Sequence, residues 1–308
     1  MRTVNHLTDL QKGPPVILTI GAFDGVHRGH QWLISQIVDR AHRLGYESLV
    51  ITFNPRPEVL FRSGSKQISG SEEKTRLLAD LGVDTTVLIP FTRQVASVPA
   101  GEFLDTLLAH VNLAEIWVGA DFAFGHNRQG TVDFLKERGR ENGFGVNVVT
   151  RQALDRVPIS STIIREMIAS GDVAEATAFL GHLFSVKGEV VFGHQRGAGL
   201  GFPTANLLLP PEQLLPATGI YAGYVRIDGR KHPAAIYVGA SPVFGGEQVI
   251  VEAFLLDFEG ELRGQEVGVD FVARVREDRS FSSVDALVEQ MRLDVARVRE
   301  ILAQSETS

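Results

Sequence analysis

The chain has 308 residues, of which 44% are hydrophobic, and these values favour two globular domains with buried cores. The formal net charge of −7 excludes a general electrostatic attraction to nucleic acid or to anionic membranes, so small molecules are the expected partners. The sequence contains no cysteine, which excludes disulfides, thiolate zinc sites, iron–sulfur clusters and a cysteine nucleophile.

Targeting signals are not evident in the sequence. Residues 1–13, MRTVNHLTDLQKG, lack the apolar stretch of a signal peptide, and no later segment approaches the ~20 apolar residues of a membrane helix. We therefore expect a cytoplasmic location, with no nucleic-acid, membrane or obligate protein partner.

Short apolar runs alternate with longer amphipathic segments in the first half of the chain. The runs have the continuous apolar character of strands buried on both faces, and they cover residues 16–23, 48–53, 85–89, 114–119 and 146–150. Helical patterns lie between them at residues 30–44, 72–81, 101–110 and 132–142. This alternation predicts an α/β domain with a doubly wound, Rossmann-like parallel sheet.

The pattern changes after two short helical segments at residues 161–170 and 172–180. From about Phe184, apolar runs separated by Gly and Pro predict a small closed β structure. Its predicted strands cover residues 185–193, 219–227, 231–240, 249–258 and 267–275. No long linker separates the two halves, so we place the domains at residues 1–183 and 184–308.

The end of the chain returns to a helical pattern. Seven apolar side chains recur with the three- and four-residue spacing of one helix face and form one stripe, and they are Val284, Leu287, Val288, Met291, Val295, Val298 and Leu302. Such a stripe predicts a helix that packs on the β structure.

The segment GAFDGVHRGHQ, residues 21–31, ends the first predicted strand and opens a helix. Glycines let a nucleotide approach the backbone, and the unpaired N–H groups of a helix start suit phosphate oxygens. His27 and His30 then stand where two imidazoles would grip a polyphosphate. The alternative is a capped helix start with two incidental histidines, and the strand-to-helix placement favours the phosphate site.

A second polar segment, SSTIIRE at residues 160–166, places two serines and a threonine before a helix and Arg165 one turn later. Hydroxyl and guanidinium groups suit phosphate binding. Taken by itself, the hydroxyl run is equally an ordinary helix N-cap.

The pair HRGH and SSTIIR, at residues 27–30 and 160–165, resembles the signatures of the nucleotidyltransferase superfamily, and GAFDGVHRGH resembles bacterial FAD synthetase within it. Four further segments resemble that family: FNPRPEVLF at 53–61, EKTRLLADLGVD at 73–84, PFT at 90–92 and VGADFAFGHNRQG at 118–130. The resemblance implies that the phosphate of FMN attacks the α-phosphorus of ATP and that pyrophosphate leaves. Such a protein positions reactants and neutralises charge, without a covalent nucleophile.

Residue roles in this transfer follow from the resemblance. It implies that His27, His30 and Arg165 act in catalysis. The implied ATP and phosphate contacts of the first domain belong to the same two motifs, and they are Gly21, Phe23, Asp24, Gly25, Gly29, Ser161 and Thr162.

Two further positions are implied flavin or nucleotide contacts, Asn54 and Asp121. For Asp121 the alternative is a turn made by Gly119 and Gly125 after the fourth strand. Arg56 differs from the family, whose FxPxP segment often has histidine there.

The segment GHQRGAGLGFPTAN, residues 193–206, supplies a glycine-rich loop that could cradle ATP, followed by Thr204 and Asn206. Side chains two apart in an extended segment face the same way. A hydroxyl and an amide oxygen on one face can help to hold Mg²⁺, which prefers oxygen ligands. A tight turn between strands is the alternative interpretation of GFPTAN.

The same segment resembles the signature of riboflavin kinase, whose domain is a small Greek-key β-barrel with a C-terminal helix. The resemblance implies that Gly197 and Gly201 contact ATP. Thr204 and Asn206 are the implied ligands of Mg²⁺, and Glu252 in VIVEAFLLDF is the implied base for the ribityl hydroxyl. Without the resemblance, Glu252 is one polar position on a half-exposed strand.

Three more segments resemble the kinase: GIYAG at 219–223, VGASPVFGG at 238–246 and VREDRSF at 275–281. Two positions differ from it. Val243 follows a proline where the family commonly has threonine, and Arg263 stands in ELRG where tyrosine is usual.

Together the resemblances predict a bifunctional transferase that phosphorylates riboflavin to FMN and adenylylates FMN to FAD. Its expected partners are ATP, riboflavin and FMN, with Mg²⁺ as cofactor. One alternative is an FMN adenylyltransferase whose kinase-like domain is inactive, through Val243 and Arg263. A flavin-binding regulator, or an adenylyltransferase for pantetheine phosphate or nicotinamide mononucleotide, is disfavoured by the complete set of kinase residues.

Overall fold

The computed structural model describes residues 1–150, 153–154, 157–191, 202–240 and 249–305. The chain divides into two compact units, Met1–Ser161 and Thr162–Ser308. The predicted functional boundary between residues 183 and 184 falls inside the second unit, which includes most of two helices that precede the β structure. As a division of function, that boundary stays a prediction.

The described part of the first unit contains ten strands in chain order: β1 (Arg2–Val4), β2 (Val16–Ile20), β3 (Glu47–Asn54), β4 (Thr85–Pro90), β5 (Leu113–Gly119), β6 (Ala123–Phe124), β7 (Gly130–Thr131), β8 (Gly145–Val149), β9 (Ala153–Leu154) and β10 (Val157–Pro158). Six of them form one sheet in the order β1-β4-β3-β2-β5-β8, with every neighbouring pair parallel. The β6–β7 and β9–β10 pairs are short and antiparallel. The parallel sheet confirms the predicted fold of this unit.

The described helices of the first unit are α1 (Arg28–Leu44), α2 (Pro57–Phe61), α3 (Ser71–Asp80), α4 (Arg93–Ala96), α5 (Ala100–His110) and α6 (Val132–Asn142), and four of them begin and end close to the predicted bounds. The helices α2 and α4 were not predicted. Side chains of successive β2 residues point to opposite faces of the sheet, so Ile17 packs with Ile34 of α1 and Leu18 packs with Leu104 of α5. Apolar cores on both faces explain why the strands are continuous apolar runs.

Strand order creates a switch point in the middle of the sheet. From β2 the chain moves to β3 and β4 on one side, and later to β5 and β8 on the other side. Ligands of open α/β sheets bind at the carboxyl ends of the strands at such a point. β2 ends at Ile20, earlier than the predicted residue 23, because Phe23 adopts a left-handed backbone conformation.

The second unit is built on a barrel whose described strands are β11 (Phe184–Val191), β12 (Ala205–Leu208), β13 (Gly219–Ile227), β14 (Arg230–Ala240), β15 (Val249–Leu255) and β16 (Glu266–Glu277). The closed order is β11-β12-β15-β14-β13-β16, and each pair is antiparallel. This confirms the predicted barrel and adds β12, which the sequence indicated only as an extended segment. β15 ends before the predicted residue 258, and the backbone of Asp257 is left-handed at φ 57°.

Among the described residues, three helices accompany the barrel: α7 (Ser161–Ser170), α8 (Val173–Leu180) and α9 (Val284–Ser305). The helix α9 buries Val298 and Leu302 against Ala222 and Tyr224 of β13, which confirms the predicted packing. The stripe holds in its C-terminal part, whereas Val284 at its start is 60% exposed.

Candidate active sites

The turn after β2 has an unusual backbone. Phe23, Gly25 and Val26 have φ angles of 44°, 75° and 38°. Non-glycine residues adopt this left-handed region rarely, at a cost of about 1–3 kcal/mol each, so surrounding contacts must hold the turn. One of these contacts is the N–H of Gly25, which donates to Ser69 Oγ at 3.0 Å.

His27 and His30 are brought together at the start of α1. The N–H of His30 donates to Nδ1 of His27 at 3.3 Å, so His27 is the N-cap of the helix. Their rings stack with centroids 3.5 Å apart and planes at 15°, and the Phe23 ring meets His30 edge-on at 5.1 Å. A capped helix start and a paired-imidazole site are therefore the same arrangement. Because Nδ1 of His27 accepts, the proton of neutral His27 lies on Nε2.

His30 is electrostatically distinct from an ordinary histidine. Burial, and then the neighbouring His27 and Lys74, holds the pKa of His30 well below its usual value of 6.5. Its ring is therefore neutral at neutral pH. Nδ1 of His30 is buried and has no hydrogen-bond partner among the described residues. A buried polar atom without a partner, located beside a helix start, is typical of a position where a bound ligand supplies the missing hydrogen bond.

Two glycines of the motif make room for rings of the same turn. A Cβ placed on Gly21 would lie 2.9 Å from Cζ of Phe23, and one on Gly29 would lie 3.3 Å from Nδ1 of His27. Larger residues would displace Phe23 or His27 and, through them, His30. Contacts of Gly21, Gly25 and Gly29 with ATP stay predictions.

Asp24 is an anchor inside the first unit. Its carboxylate is 3% exposed and accepts from the N–H of Ile68 at 2.7 Å and, less closely, from that of Ser69 at 3.4 Å. The second oxygen lies 3.6 Å from Nε of Arg56. The side chain ties the turn to the segment before α3, and the predicted contact of Asp24 or Phe23 with phosphate stays a prediction.

The guanidinium of Arg56 is buried in the same network. Its Nε donates to the carbonyl of Lys66 at 3.0 Å, and its outer nitrogens reach Ser65 Oγ at 2.7 Å and Glu58 at 3.2 Å. Arg56 thus shapes the loop that precedes α3.

Lys74 was missed by the sequence reasoning. Its Nζ is buried and donates to the carbonyls of Ala22 and Phe53, each at 2.9 Å. A signal was present, because Lys74 lies on the same face of α3 as Leu77 and Leu78, both buried. A lysine on the apolar face of a helix predicts a buried ammonium group, which needs hydrogen-bond acceptors.

The two weaker predicted contacts lie at strand ends of the same sheet edge. Asn54 is the last residue of β3, and its carbonyl accepts from the N–H of Phe91 at 2.9 Å. Asp121 follows β5 and is exposed, with its carbonyl 3.2 Å from Arg128. Gly125 has φ 73°, and a Cβ there would meet the backbone of Ala100 at 2.6 Å, which agrees with its reading as a turn glycine. Roles for both side chains stay predictions.

The second motif meets the first through Ser161, whose Oγ donates to the carbonyl of Asp24 at 3.0 Å. Ser161 is the last residue of the first unit, whereas Thr162 and Arg165 belong to the second. On α7, the guanidinium of Arg165 donates to Thr162 Oγ1 at 3.3 Å. The structure therefore joins Ser161 to the turn after β2, and the roles of Thr162 and Arg165 in ATP binding stay predictions.

A second polar cluster lies on the barrel. Glu252 pairs in register with Asn206 of β12 on one side and with Tyr237 of β14 on the other. Its neighbours Val251 and Ala253 are fully buried, so Glu252 faces outward, and Thr204 Oγ1 lies 3.4 Å from its carboxylate. The structure brings together the three predicted residues of this site.

Parts of the predicted kinase site lie outside the described residues, namely Gly197, Gly201 and Val243. Arg263 is described, and it is exposed in the turn before β16.

Tyr237 is a second residue that the sequence reasoning missed. Its hydroxyl donates to Asp278 at 3.2 Å. Burial, and then the Asp278 carboxylate with a contribution from Glu252, raises the pKa of Tyr237 to about 12. Tyr237 therefore stays protonated as a donor beside Glu252. Nearby on β15, Phe254 meets the ring of Phe202 edge-on at 5.2 Å.

Comparisons with known proteins cover both units. A sequence model of the FAD synthetase family matches residues 10–163, and one of the riboflavin kinase family matches residues 180–302. The bifunctional riboflavin kinase/FMN adenylyltransferase of Pseudomonas fluorescens is 35% identical to this chain, covering 99% of it and 98% of the relative. The chain belongs to the bifunctional riboflavin kinase/FMN adenylyltransferase family.

Other members of the bifunctional riboflavin kinase/FMN adenylyltransferase family match along nearly their full length. The Escherichia coli K12 protein is 34% identical, with 97% of each chain covered. The Listeria monocytogenes protein is 32% identical and covers 99% of this chain and 96% of its own.

A solved structure from Streptococcus pneumoniae, described as a macrolide-efflux protein, also shares the whole architecture. It is 32% identical, covers 96% of this chain and 98% of that chain, and superposes with a TM-score of 0.84. In the described part of this chain, no helix is long and apolar enough to cross a membrane. The same residues hold no cluster of three or more His, Cys, Asp or Glu side chains suited to a metal ion.

Proposed function

We propose that the chain phosphorylates riboflavin to FMN and adenylylates FMN to FAD, using ATP in both reactions. Family membership over nearly the whole chain supports this bifunctional activity. The observation that carries it is that each half offers the groups its reaction needs: the His27–His30 pair after β2, and Glu252 beside Thr204 on the barrel. We assign the two functions to residues 1–183 and 184–308, and a cytoplasmic location agrees with the use of ATP.

In the adenylyl transfer, a phosphate oxygen of FMN forms a bond to the α-phosphorus of ATP while the bond to pyrophosphate breaks. FMN is the nucleophile, so the protein must hold two anionic groups together and stabilise charge on the leaving pyrophosphate. His30, whose ring is neutral at neutral pH, and His27, whose Nε2 carries a proton, can donate N–H groups to phosphate oxygens. The strained turn and the stacked rings support a role for them as pre-oriented donors.

In the kinase reaction, the ribityl hydroxyl of riboflavin attacks the γ-phosphorus of ATP, its proton passes to Glu252, and ADP leaves. Glu252 is half-buried, and its contact with Thr204 Oγ1 at 3.4 Å orients the carboxylate. Tyr237, protonated on the other side of Glu252, limits where that carboxylate can turn.

Thr204 and Asn206 fit the chemistry of Mg²⁺, which takes oxygen ligands and keeps several from water and phosphate. The Thr204 hydroxyl donates a hydrogen bond to Glu252 and retains its oxygen lone pairs. Asn206 uses its Nδ2 toward the carbonyl of Thr204 at 3.4 Å, which leaves the amide oxygen as the acceptor. When bound, Mg²⁺ would neutralise the β- and γ-phosphate oxygens of ATP. The predicted ATP contacts of Gly197 and Gly201 belong to the same proposal.

One assay tests the bifunctional proposal. Purified protein is incubated with riboflavin and MgATP, and riboflavin, FMN and FAD are separated by chromatography. A second arm starts from FMN, and a third adds EDTA to remove Mg²⁺. We expect FMN and FAD in the first arm, FAD in the second, and loss of the kinase reaction in the third. Formation of FAD from FMN without FMN from riboflavin would support the monofunctional alternative.

A further inference from the structure

Lys74 links three elements of the first unit. From α3, its ammonium reaches the carbonyl of Ala22, in the turn after β2, and that of Phe53, at the end of β3. Thr52 Oγ1 also donates to the carbonyl of Ala22, at 3.1 Å. The N–H of Gly21 donates to the carbonyl of Ile51 at 3.0 Å, in the main-chain pairing of this segment with β3. Beyond this bond, the side chains of Thr52 and Lys74 supply the hydrogen bonds between the turn and β3. Lys74 therefore closes the gap between the turn and β3.

The charge of Lys74 is not required by its hydrogen bonds. A neutral amine has two N–H groups, which suffice for the two carbonyls that Lys74 contacts. Lys74 is 1% exposed, and burying an ammonium opposes folding. Burial lowers the pKa of Lys74 to about 8, with Asp24 opposing this shift and Arg56 adding to it. At neutral pH the side chain nevertheless stays mostly charged.

The position of this charge relates it to the predicted chemistry. The turn that Lys74 holds leads from Ala22 through Phe23 to His27 and His30. The bond to Phe53 fixes the residue before Asn54, a predicted flavin or nucleotide contact. Lys74 also acts electrostatically on His30 and favours its neutral ring. Lys74 therefore contacts both the turn that leads to the predicted ATP-binding histidines and the strand end that carries Asn54.

We propose that Lys74 is a positioning residue of the adenylyl transfer, which sets the separation between the His27–His30 turn and Asn54 and supplies positive charge behind the phosphate site. This inference rests on the proposed FMN adenylyltransferase activity. The groups that face Lys74 are Asp24 and Arg56, with His30 on α1, and each lies in the first unit.

The test uses the full chain with Lys74→Met, which removes the charge and the donors, and Lys74→Gln, which keeps an amide donor. Lys136→Met, at an exposed position of α6, is the matched control. We expect kcat for FMN to FAD to fall ~100-fold in Lys74→Met, since small displacements of reacting groups have effects of that size. Lys74→Gln should fall nearly as far, because the charge is lost. Riboflavin phosphorylation by the same molecules should be unchanged.

A pH profile separates positioning from general support of the fold. In the wild type, kcat for FMN to FAD should decline above about pH 8, the pKa of Lys74, and the kinase reaction should not follow that decline. Lys74→Met should lack this decline. Hydrogen exchange at the amides of Leu18 and Ile51 checks that the sheet core of Lys74→Met is intact. If that core is disturbed, the rate of Lys74→Gln and the wild-type pH profile test the role of Lys74 instead.

Two outcomes are kept apart by this design. A wild-type protein that makes no FAD from FMN would overturn the proposed function itself. A wild type that makes FAD, with Lys74→Met and Lys74→Gln equally active or with the same alkaline profile, would overturn the role of Lys74.

Discussion

The N–H of His30 donates to Nδ1 of His27, and the same two side chains stack with their ring centroids 3.5 Å apart. The same contact between His27 and His30 therefore caps α1 and holds the two imidazoles together. This arrangement tolerates one positive charge poorly and two less well, because the rings are in contact and His30 is buried. The stability of the first unit below neutral pH should show the cost of protonating these histidines.

We expect the first unit to lose stability as the pH falls below about 6.5. The pKa of His30 is lower in the folded protein than in the unfolded chain, so the unfolded chain binds more protons in that range and unfolding becomes easier. Urea unfolding at pH 7.5 and pH 5.5 measures the effect. His30→Gln should reduce the acid loss, whereas His6→Gln, at an exposed position, should not.

His30→Ala should lower the turnover of FMN to FAD by about 100-fold, the effect of removing one pre-oriented donor from a transition state. His27→Ala should do the same and also weaken the start of α1, whose cap it removes. Chromatography with FMN and MgATP measures the loss. Riboflavin phosphorylation by the same variants is the internal control, and equal loss of both reactions would contradict two separate sites.

Glu252→Gln should reduce FMN formation from riboflavin by about 10²–10⁴-fold, since a positioned base contributes that much. Glutamine keeps the size of the side chain and an acceptor for Thr204, so the barrel should be unaffected. The conversion of FMN to FAD should continue at the wild-type rate. Glu189→Gln, an exposed carboxylate of β11, is the matched control. Full kinase activity in Glu252→Gln would remove its assignment as the base.

Asp24→Ala should destabilise the first unit by about 3 kcal/mol, because it leaves buried partners without their carboxylate. The N–H of Ile68 loses its acceptor, and Arg56 loses the buried one of its two carboxylate partners and keeps Glu58. Hydrogen exchange at the Ile68 amide should accelerate with the loss. Combining Asp24→Ala with Arg56→Met should cost less than the sum of the single changes if the pair is coupled. Strict additivity would show that the 3.6 Å ion pair carries little energy.

Asp294→Ala should loosen α9 from the barrel by about 3 kcal/mol, since it breaks a buried pair. The Asp294 carboxylate accepts from Nε of Arg276 at 2.9 Å and from Gln290 at 2.7 Å. Thermal inactivation of the kinase reaction should then occur at a lower temperature, while the adenylylation reaction keeps its own profile. Asp285→Ala, exposed on the same helix, should leave both profiles unchanged.

Much of the fold was predictable because burial leaves a periodic record in the sequence. The continuous run at β2 and the alternation around Glu252 correspond to strands buried on two faces and on one face. Predictions were weaker at element ends, where local backbone conformation decides. The strand β2 ends at Ile20 and not at the predicted residue 23, where the backbone of Phe23 is left-handed.

The sequence by itself predicted the two-part architecture and the paired histidines, and its resemblance to known families predicted roles for Thr204, Asn206 and Glu252, since these predictions rest on motifs of a few residues. Only the tertiary structure places Glu252 beside Thr204 and Asn206. The tertiary structure decided the rest. Lys74 meets carbonyls of Ala22 and Phe53, residues far from it in the chain. Such a contact depends on the chain topology. Parallel strands bring their carboxyl ends to one edge of the sheet, and α3 places the Lys74 ammonium against the carbonyls found there. The stacking of His27 on His30 likewise depends on a turn that Asp24 anchors to the N–H of Ile68.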